Sequence, residues 1–197
     1  MNNISYAVLS GGKAKRFGSD KTKVLYKGKP LYIYSLETGL VISSDVMHIS
    51  KHAEKYQPFL ENVQYLHDDL EEICPMSGLI KAAKAAKYDD IFTVSADAPL
   101  ISSDFVRFLY GYFKNCDGVM PVINGKSYTL MSFYKREVLL SMQDDYNNKN
   151  YKLIKCLERF NIKYVSEEDI FAAGFKSRMF TNINFQEDLD KLEADNG

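Results

Sequence analysis

A chain of 197 residues with 46% hydrophobic content is long enough to fill one core, which predicts a single domain over residues 1–197. Lys and Arg (25) nearly balance Asp and Glu (26), for a formal net charge of −1, so no global basic field recruits nucleic acid or an anionic membrane, and any anion has to be met at a local site. Cys74, Cys116 and Cys156 lie far apart without a C-x-x-C pair, and no apolar stretch approaches a signal-peptide or membrane-spanning length. The expectation is reduced thiols in a cytoplasmic protein, with no zinc site, disulfide framework or membrane contact.

The chain opens with an apolar run from Ile4 to Leu9, read as a buried strand, and then enters a long basic loop. Lys23 to Tyr26 is extended, Gly28 supplies a turn, and Pro30 heads a helix from about Leu31 to Leu40. Strands are expected at Asp45 to Ser50 and Val63 to Leu66, with a helical segment from about Ala53 to Leu60 between them. Ser77 to Ala86 reads as a helix, because Leu79, Ile80, Ala83 and Ala86 share one face. Ile91 to Ser95 is almost continuously apolar or β-branched, as a parallel strand buried on both faces should be. A helix from about Ser103 to Phe113 is capped by Ser102 or Ser103.

Two strand-like runs, Gly118 to Ile123 and Tyr128 to Tyr134, flank Asn124-Gly125, a strong hairpin signal, and predict an antiparallel element beside a parallel sheet. Helices follow at about Lys135 to Met142 and Tyr151 to Phe160, with the polar run Gln143 to Asn150 expected as a mobile loop. Ile162 to Val165 and Phe180 to Ile183 read as strands, and about Phe185 to Leu192 as a closing helix. Successive βα units of this length predict an open α/β sheet, mostly parallel, with helices on both faces. Ligands in such sheets bind at the carboxyl ends of the strands, near a topological switch point. Two stretches fall there, the basic loop after the first strand and Asp97 after Ser95, whereas Asp89 and Asp90 at the opposite end read as turn and solubility residues.

The loop, Leu9-Ser-Gly-Gly-Lys-Ala-Lys-Arg-Phe-Gly-Ser-Asp-Lys21, carries Lys13, Lys15, Arg16, Lys21 and, just beyond, Lys23 against one acid, Asp20. Paired glycines let the backbone turn tightly and aim bare N–H groups at a ligand, and the cations suit a polyanion such as a nucleoside triphosphate. Spacing excludes the P-loop, since five residues separate Gly12 from Gly18 and no Lys-Ser/Thr follows. The G-x-G-x-x-G fingerprint is missing too. A solvated lysine-rich turn would need neither the three glycines nor this charge bias. Asp97, in Ser95-Ala-Asp-Ala-Pro99, is a hard oxygen ligand where a strand runs out, and Mg²⁺ on a triphosphate needs only one or two carboxylates. Ser10 has no G-x-S-x-G context, and His48, His52 and His67 share no triad or metal-ligand spacing, so none of them is assigned chemistry.

Four stretches in order carry a resemblance: the basic loop, Asp68 (or Asp69) before Cys74-Pro-Met-Ser-Gly78, Asp97-Ala-Pro99, and Asn182-Ile-Asn184 before Phe-Gln-Glu-Asp-Leu189. Together they are similar to the molybdenum cofactor guanylyltransferases. That likeness implies a Rossmann-like three-layer αβα nucleotide-diphospho-sugar transferase fold. It also implies transfer of GMP from GTP onto the phosphate of molybdopterin, with Mg²⁺ as cofactor. Carried over residue by residue, it assigns nucleotide binding to Leu9, Ser10, Gly11, Gly12, Lys13, Lys21, Asp68, Gly78 and Asp97. Catalytic roles fall to Lys21, Arg16 and Asp97, the metal to Asp97, and support of the loop and acceptor to Asn182 and Asn184. Cys74 and Met76 replace Gly and Leu of the family turn, Phe185-Gln186 replaces Thr/Ser-Pro, and Tyr128-Thr129 replaces Gln-Pro near the acceptor. The acceptor is expected from the hairpin side, past Tyr128 and the Gln143 to Asn150 loop, with Lys149 or Lys152 meeting its charge. Transient contacts with other cofactor-biosynthesis proteins are implied as well. A cytidylyltransferase or sugar-phosphate nucleotidyltransferase of the same fold, or a nucleotide-binding domain without catalysis, remains open at this point.

Overall fold

The computed structural model describes residues 3–11, 24–56, 60–183 and 187–188. In chain order, the first half forms β1 (Ile4–Ser10), β2 (Leu25–Tyr26), β3 (Lys29–Pro30), α1 (Leu31–Ile42), β4 (Asp45–Ser50), β5 (Val63–His67), α2 (Pro75–Ala85) and β6 (Asp90–Ser95). The second half forms α3 (Ser103–Gly111), β7 (Gly118–Ile123), β8 (Lys126–Ser127), β9 (Met131–Lys135), α4 (Arg136–Asn147), α5 (Leu153–Leu157), β10 (Ile162–Val165) and α6 (Glu167–Ala172). The main sheet runs β10-β7-β9-β6-β1-β4-β5, with β8 added to β7, while β2 and β3 pair separately. Along the main path only β9 runs against its neighbours.

β1 is the spine because it is apolar on both sides. Tyr6 and Val8 join the layer formed with α1, α3 and α6, and Ala7 and Leu9 join the layer formed with α2, α4 and α5. That is the alternation a strand covered on both faces must show, and it yields the three-layer αβα arrangement. The chain leaves β1 towards β4 and β5 on one side, then returns to place β6 on the other. β1 is therefore the switch point, and its carboxyl end is where a crevice opens. Among the described residues, no helix is long and apolar enough to cross a membrane.

The opposite end of the sheet is bolted by a buried acid. Asp45 accepts from Ser5 Oγ at 2.5 Å, Gln64 Nε2 at 2.7 Å and Lys87 N at 2.8 Å, joining β1, β4, β5 and the turn before β6. Ser43 Oγ donates to Ile4 O at 2.6 Å beside it. Asp90, expected as a turn and solubility residue, is a structural partner: Tyr110 donates to it at 2.8 Å and Lys135 pairs with it.

Several sequence expectations change. The strand after the Asn124-Gly125 turn, where φ is 50° and 70°, is only Lys126–Ser127. The chain then turns through 128–130, and β9 inserts between β6 and β7, so the antiparallel strand lies within the sheet instead of beside it. α4 continues to Asn147, through most of the expected loop, because its polar side chains find partners: Lys84 donates to Gln143 at 2.8 Å, and Arg159 pairs with Asp145 at 2.5 Å. Between β4 and β5 the described helical part is one 3₁₀ turn, Ala53–Lys55. The stretch expected as a strand at Phe180 to Ile183 ends a 3₁₀ turn, Ser177–Phe180, and then runs extended without a ladder. α6 was not expected, although Ser166 caps it by accepting from Asp169 N at 3.2 Å. The helix expected at 185–192 falls outside the described residues apart from 187–188.

One close contact fixes α1 on the sheet. A Cβ added at Gly39 would lie 2.6 Å from Tyr6 Cδ1, and the Tyr6 ring is fully buried in β1 against Phe92. Gly→Ala in a helix ordinarily gains up to about 1 kcal/mol. Here overpacking, about 1–3 kcal/mol, outweighs it. Gly39→Ala is expected to lower the urea midpoint with an unchanged slope; equal or greater stability would show that α1 can slide to make room.

Candidate functional site

The carboxyl end of β1 is held from three sides. Leu9 O accepts from Ala96 N at 3.0 Å, which ties the exit of β6 to that of β1. The Leu9 side chain packs on Gly78 of α2, where an added Cβ would come within 3.3 Å of Leu9 Cδ2. Gly78 thus uses its small size to seat Leu9. Ser10 Oγ lies 2.6 Å from Nε2 of His48, a buried residue of β4. Gly11 follows, exposed, with nothing among the described residues within 4 Å of where a Cβ would stand. The sequence-predicted residues Gly12, Lys13, Arg16 and Lys21, together with Asn184, lie outside the described residues.

Asp97 sits just past the end of β6, on the same edge as Gly11. Ser95 Oγ donates to Asp97 Oδ1 at 2.6 Å, and the Asp97 carbonyl accepts from Ile183 N at 2.9 Å. The following turn is anchored to α1, because Ser35 Oγ donates to Ala98 O at 3.2 Å and Thr38 Oγ1 to Ile101 O at 3.1 Å. Val24, where the chain resumes after the basic loop, clusters with Tyr26, Leu31 and Ile183, with Leu100 against them. The entry to the loop, its exit, Asp97 and the segment carrying Asn182 are therefore brought to one edge of the sheet.

Asp68 is buried at the end of β5. Its Oδ2 lies 2.6 Å from Ser77 Oγ and 3.2 Å from Lys51 Nζ, while its Oδ1 accepts from Leu70 N at 3.3 Å. Lys51 Nζ also donates to Leu70 O, so one lysine at the end of β4 binds both the acid and the loop that leads to α2. Pro75 opens α2 at the position where a missing N–H does no harm. Asp69, the neighbouring alternative, is exposed and pairs with Lys81 at 3.3 Å, a hydrogen bond that holds its carboxyl below the usual range. The structure thus separates two acids that the sequence could not tell apart.

On the side where the acceptor is expected, the 128–130 turn abuts β6, with Ser95 N donating to Leu130 O at 3.2 Å and Tyr134 donating to Thr129 O at 2.9 Å. Tyr128 packs on Phe180, ring centroids 5.0 Å apart. Glu72 N donates to Tyr146 OH at 2.8 Å, which brings the end of α4 to the loop before α2, and the exposed Lys149 and Lys152 lie just beyond that end. Sequence reasoning assigned no role here to Lys51, Ser95 or His48, and quoted Ser77 only as part of the stretch before Gly78. Ser95, two residues before Asp97, and Ser77, beside Gly78, had a local signal, whereas Lys51 and His48 had none.

Residues 6–161 match the family described as the MobA-like NTP transferase domain. The chain belongs to that family. A relative from Thermococcus gammatolerans, named a probable molybdenum cofactor guanylyltransferase, is 34% identical over 195 residues, spanning 94% of this chain and 97% of its own. One of the same name from Aquifex aeolicus is 30% identical over 189 residues, spanning 95% and 89%. The crystal structure of molybdopterin-guanine dinucleotide biosynthesis protein A from Archaeoglobus fulgidus superposes with a TM-score of 0.81 at 23% identity, over 97% of this chain and 96% of that one. At that identity the likeness concerns the fold, which is of the nucleotidyltransferase kind.

Because Asp68 is buried, removing its cation leaves a charge without its counterpart. Lys51→Met is expected to cost on the order of 3 kcal/mol. Adding Asp68→Asn, which keeps hydrogen-bonding groups but no charge, should recover part of that loss. Urea denaturation of both single variants and the double variant measures the coupling; losses that merely add would show that the two residues act independently.

Proposed function

We propose that this MobA-like transferase moves GMP from GTP onto the phosphate of molybdopterin and releases pyrophosphate. The observation that carries the reading is the meeting, at the switch point of a family-matched fold, of the root of the basic loop and the carboxylate of Asp97. An oxygen of the acceptor phosphate attacks the α-phosphorus of GTP, a new P–O bond forms, and the bond to the β-phosphate oxygen breaks. Backbone amides at Gly11 and Gly12 with Lys13 and Arg16 hold the triphosphate, and Lys21 offsets charge as it builds on the α-phosphate. Gly11 is exposed at the end of β1, and a residue without a Cβ lets a ligand come close to the backbone. No protein nucleophile is needed, because positioning and electrostatics suffice for such a transfer.

Asp97 suits Mg²⁺ as a hard oxygen donor whose rotamer is fixed by Ser95. When bound, Mg²⁺ supplies neutralising charge to the phosphates. The protein's own residues orient the reactants: Ser95 aims Asp97, and the segment through Asn182 to Ile183 braces it from the other side. Guanine presents an N1/N2 donor edge. Asp68, which the resemblance places near the base, accepts from Ser77 and Leu70 N and pairs with Lys51 among the described residues, so its carboxylate is held in one orientation. Lys149 and Lys152 are available to the anionic acceptor.

Incubation with GTP, Mg²⁺ and molybdopterin should yield the dinucleotide and pyrophosphate, with GTP preferred over ATP by well over tenfold, since a site built for one base edge leaves polar groups unpaired with another. Pyrophosphate release with CTP but not GTP, or only with a sugar phosphate as acceptor, would overturn the assignment. Asp97→Asn is expected to abolish Mg²⁺-dependent turnover while changing the circular dichroism melt little, because the residue lies at a strand exit. A variant that melts far below the wild type, in an enzyme indifferent to Mg²⁺, would make Asp97 structural.

A further inference from the structure

His48 is an unusual occupant of the layer it faces. It lies in the middle of β4, 1% exposed, stacked on Tyr32 of α1 at 4.9 Å and 6° between rings, with the edges of Tyr56 and Tyr65 against it at 4.3 and 5.6 Å. A phenylalanine would fill such a box without the cost of burying ring nitrogens. The described polar partner of the ring is Ser10 Oγ, 2.6 Å from Nε2. β1 and β4 are in parallel register, Val8 opposite His48 and Ser10 opposite Ser50, so the ring leans forward along the strand to reach the last residue of β1. Ser10 is half-buried, and the exposed Gly11 follows it at once.

We propose that His48 is a positioning residue for the nucleotide, fixing the orientation of the Ser10 hydroxyl at the root of the glycine-rich loop. Burial pushes its imidazole down to about 3, so the ring is neutral at working pH. A neutral imidazole carries one N–H and one lone pair. If Nε2 accepts from Ser10, the hydroxyl shows only lone pairs to the crevice; if Nε2 donates, the hydroxyl proton is left for the ligand. In both cases one polarity is fixed before the nucleotide arrives. The tyrosine box keeps the ring from turning, and α1, β4 and β5 together thereby set one atom of the site. This rests on the nucleotide-binding reading above and adds to it the residue that orients the loop's first polar side chain.

The test is a double-mutant cycle in the full-length protein, with the dissociation constant of Mg·GTP from calorimetry and KM, kcat and melting temperature alongside. Ser10→Ala and His48→Phe should each weaken Mg·GTP about fivefold to tenfold, the value of one oriented hydrogen bond. The double variant should be no weaker than either single one, because both remove the same interaction. The effect should appear in KM with kcat within about threefold, and His48→Gln, which can still bond the hydroxyl, should restore most of the affinity. Independent losses that multiply would overturn the proposal. So would a fall in kcat and melting temperature at unchanged affinity, or His48→Gln as weak as His48→Phe. If His48→Phe does not fold, Ser10→Ala against His48→Gln decides, since the proposal requires the first to lose affinity and the second to keep it. A wild-type protein that binds no Mg·GTP would sink the nucleotide reading itself, whereas wild-type binding with indifferent variants sinks this inference alone.

Discussion

The site depends on a strand that is covered on both faces and yet ends at solvent. β1 has no free side to adjust with: Tyr6 fits against Gly39 of α1, and Leu9 fits against Gly78 of α2. Two helices are thus keyed to one strand by two glycines, on opposite layers, each accepting a large side chain from the sheet. Close packing of this kind transmits position well, because interiors yield little. The last residues of β1 emerge where those two contacts and the carbonyl link from Leu9 to Ala96 put them. A phosphate loop needs such a fixed root, since electrostatic stabilisation is strongest from groups that do not have to reorganise.

Acids are partnered at both ends of the sheet. At the amino end, Asp45 consumes its capacity on Ser5, Gln64 and the backbone of Lys87, and Asp90 takes Tyr110 and Lys135. These acids are satisfied within the fold. At the carboxyl end, Ser95 donates to Asp97, and Asp68 takes Ser77 and Lys51. Ending strands in loops at one edge is what the parallel arrangement permits, and it places Gly11 and Asp97 there.

Much of this was legible because it is local. The apolar run of β1, the apolar run of β6 and the breaks that follow them are read from adjacent residues, and they set both the layer order and the place of Gly11 and Asp97. What was hidden depends on distant partners. Gln143 to Asn147 looks like a loop until Lys84 and Arg159 are known to meet it. β9 looks like half of a hairpin because its register with β6 joins segments far apart in sequence. His48 looks inert because its tie to Ser10 exists only once β1 and β4 are paired. α6 is different in kind: Ser166-Glu-Glu-Asp169 is a start signal written in adjacent residues.

The insertion of β9 has a consequence for synthesis on the ribosome. β6 forms one edge of the sheet with β1 until Met131 to Lys135 arrive, and in that interval its outer backbone groups have no strand beside them. Ile91, Phe92 and Val94 make it a sticky edge as well as an open one. Strand pairings that close late in the chain fold slowly and leave aggregation-prone intermediates. A nascent chain released after α3 would carry the root of the basic loop and Asp97 on an unfinished sheet, so the second half of the sequence covers an edge that the first half leaves open.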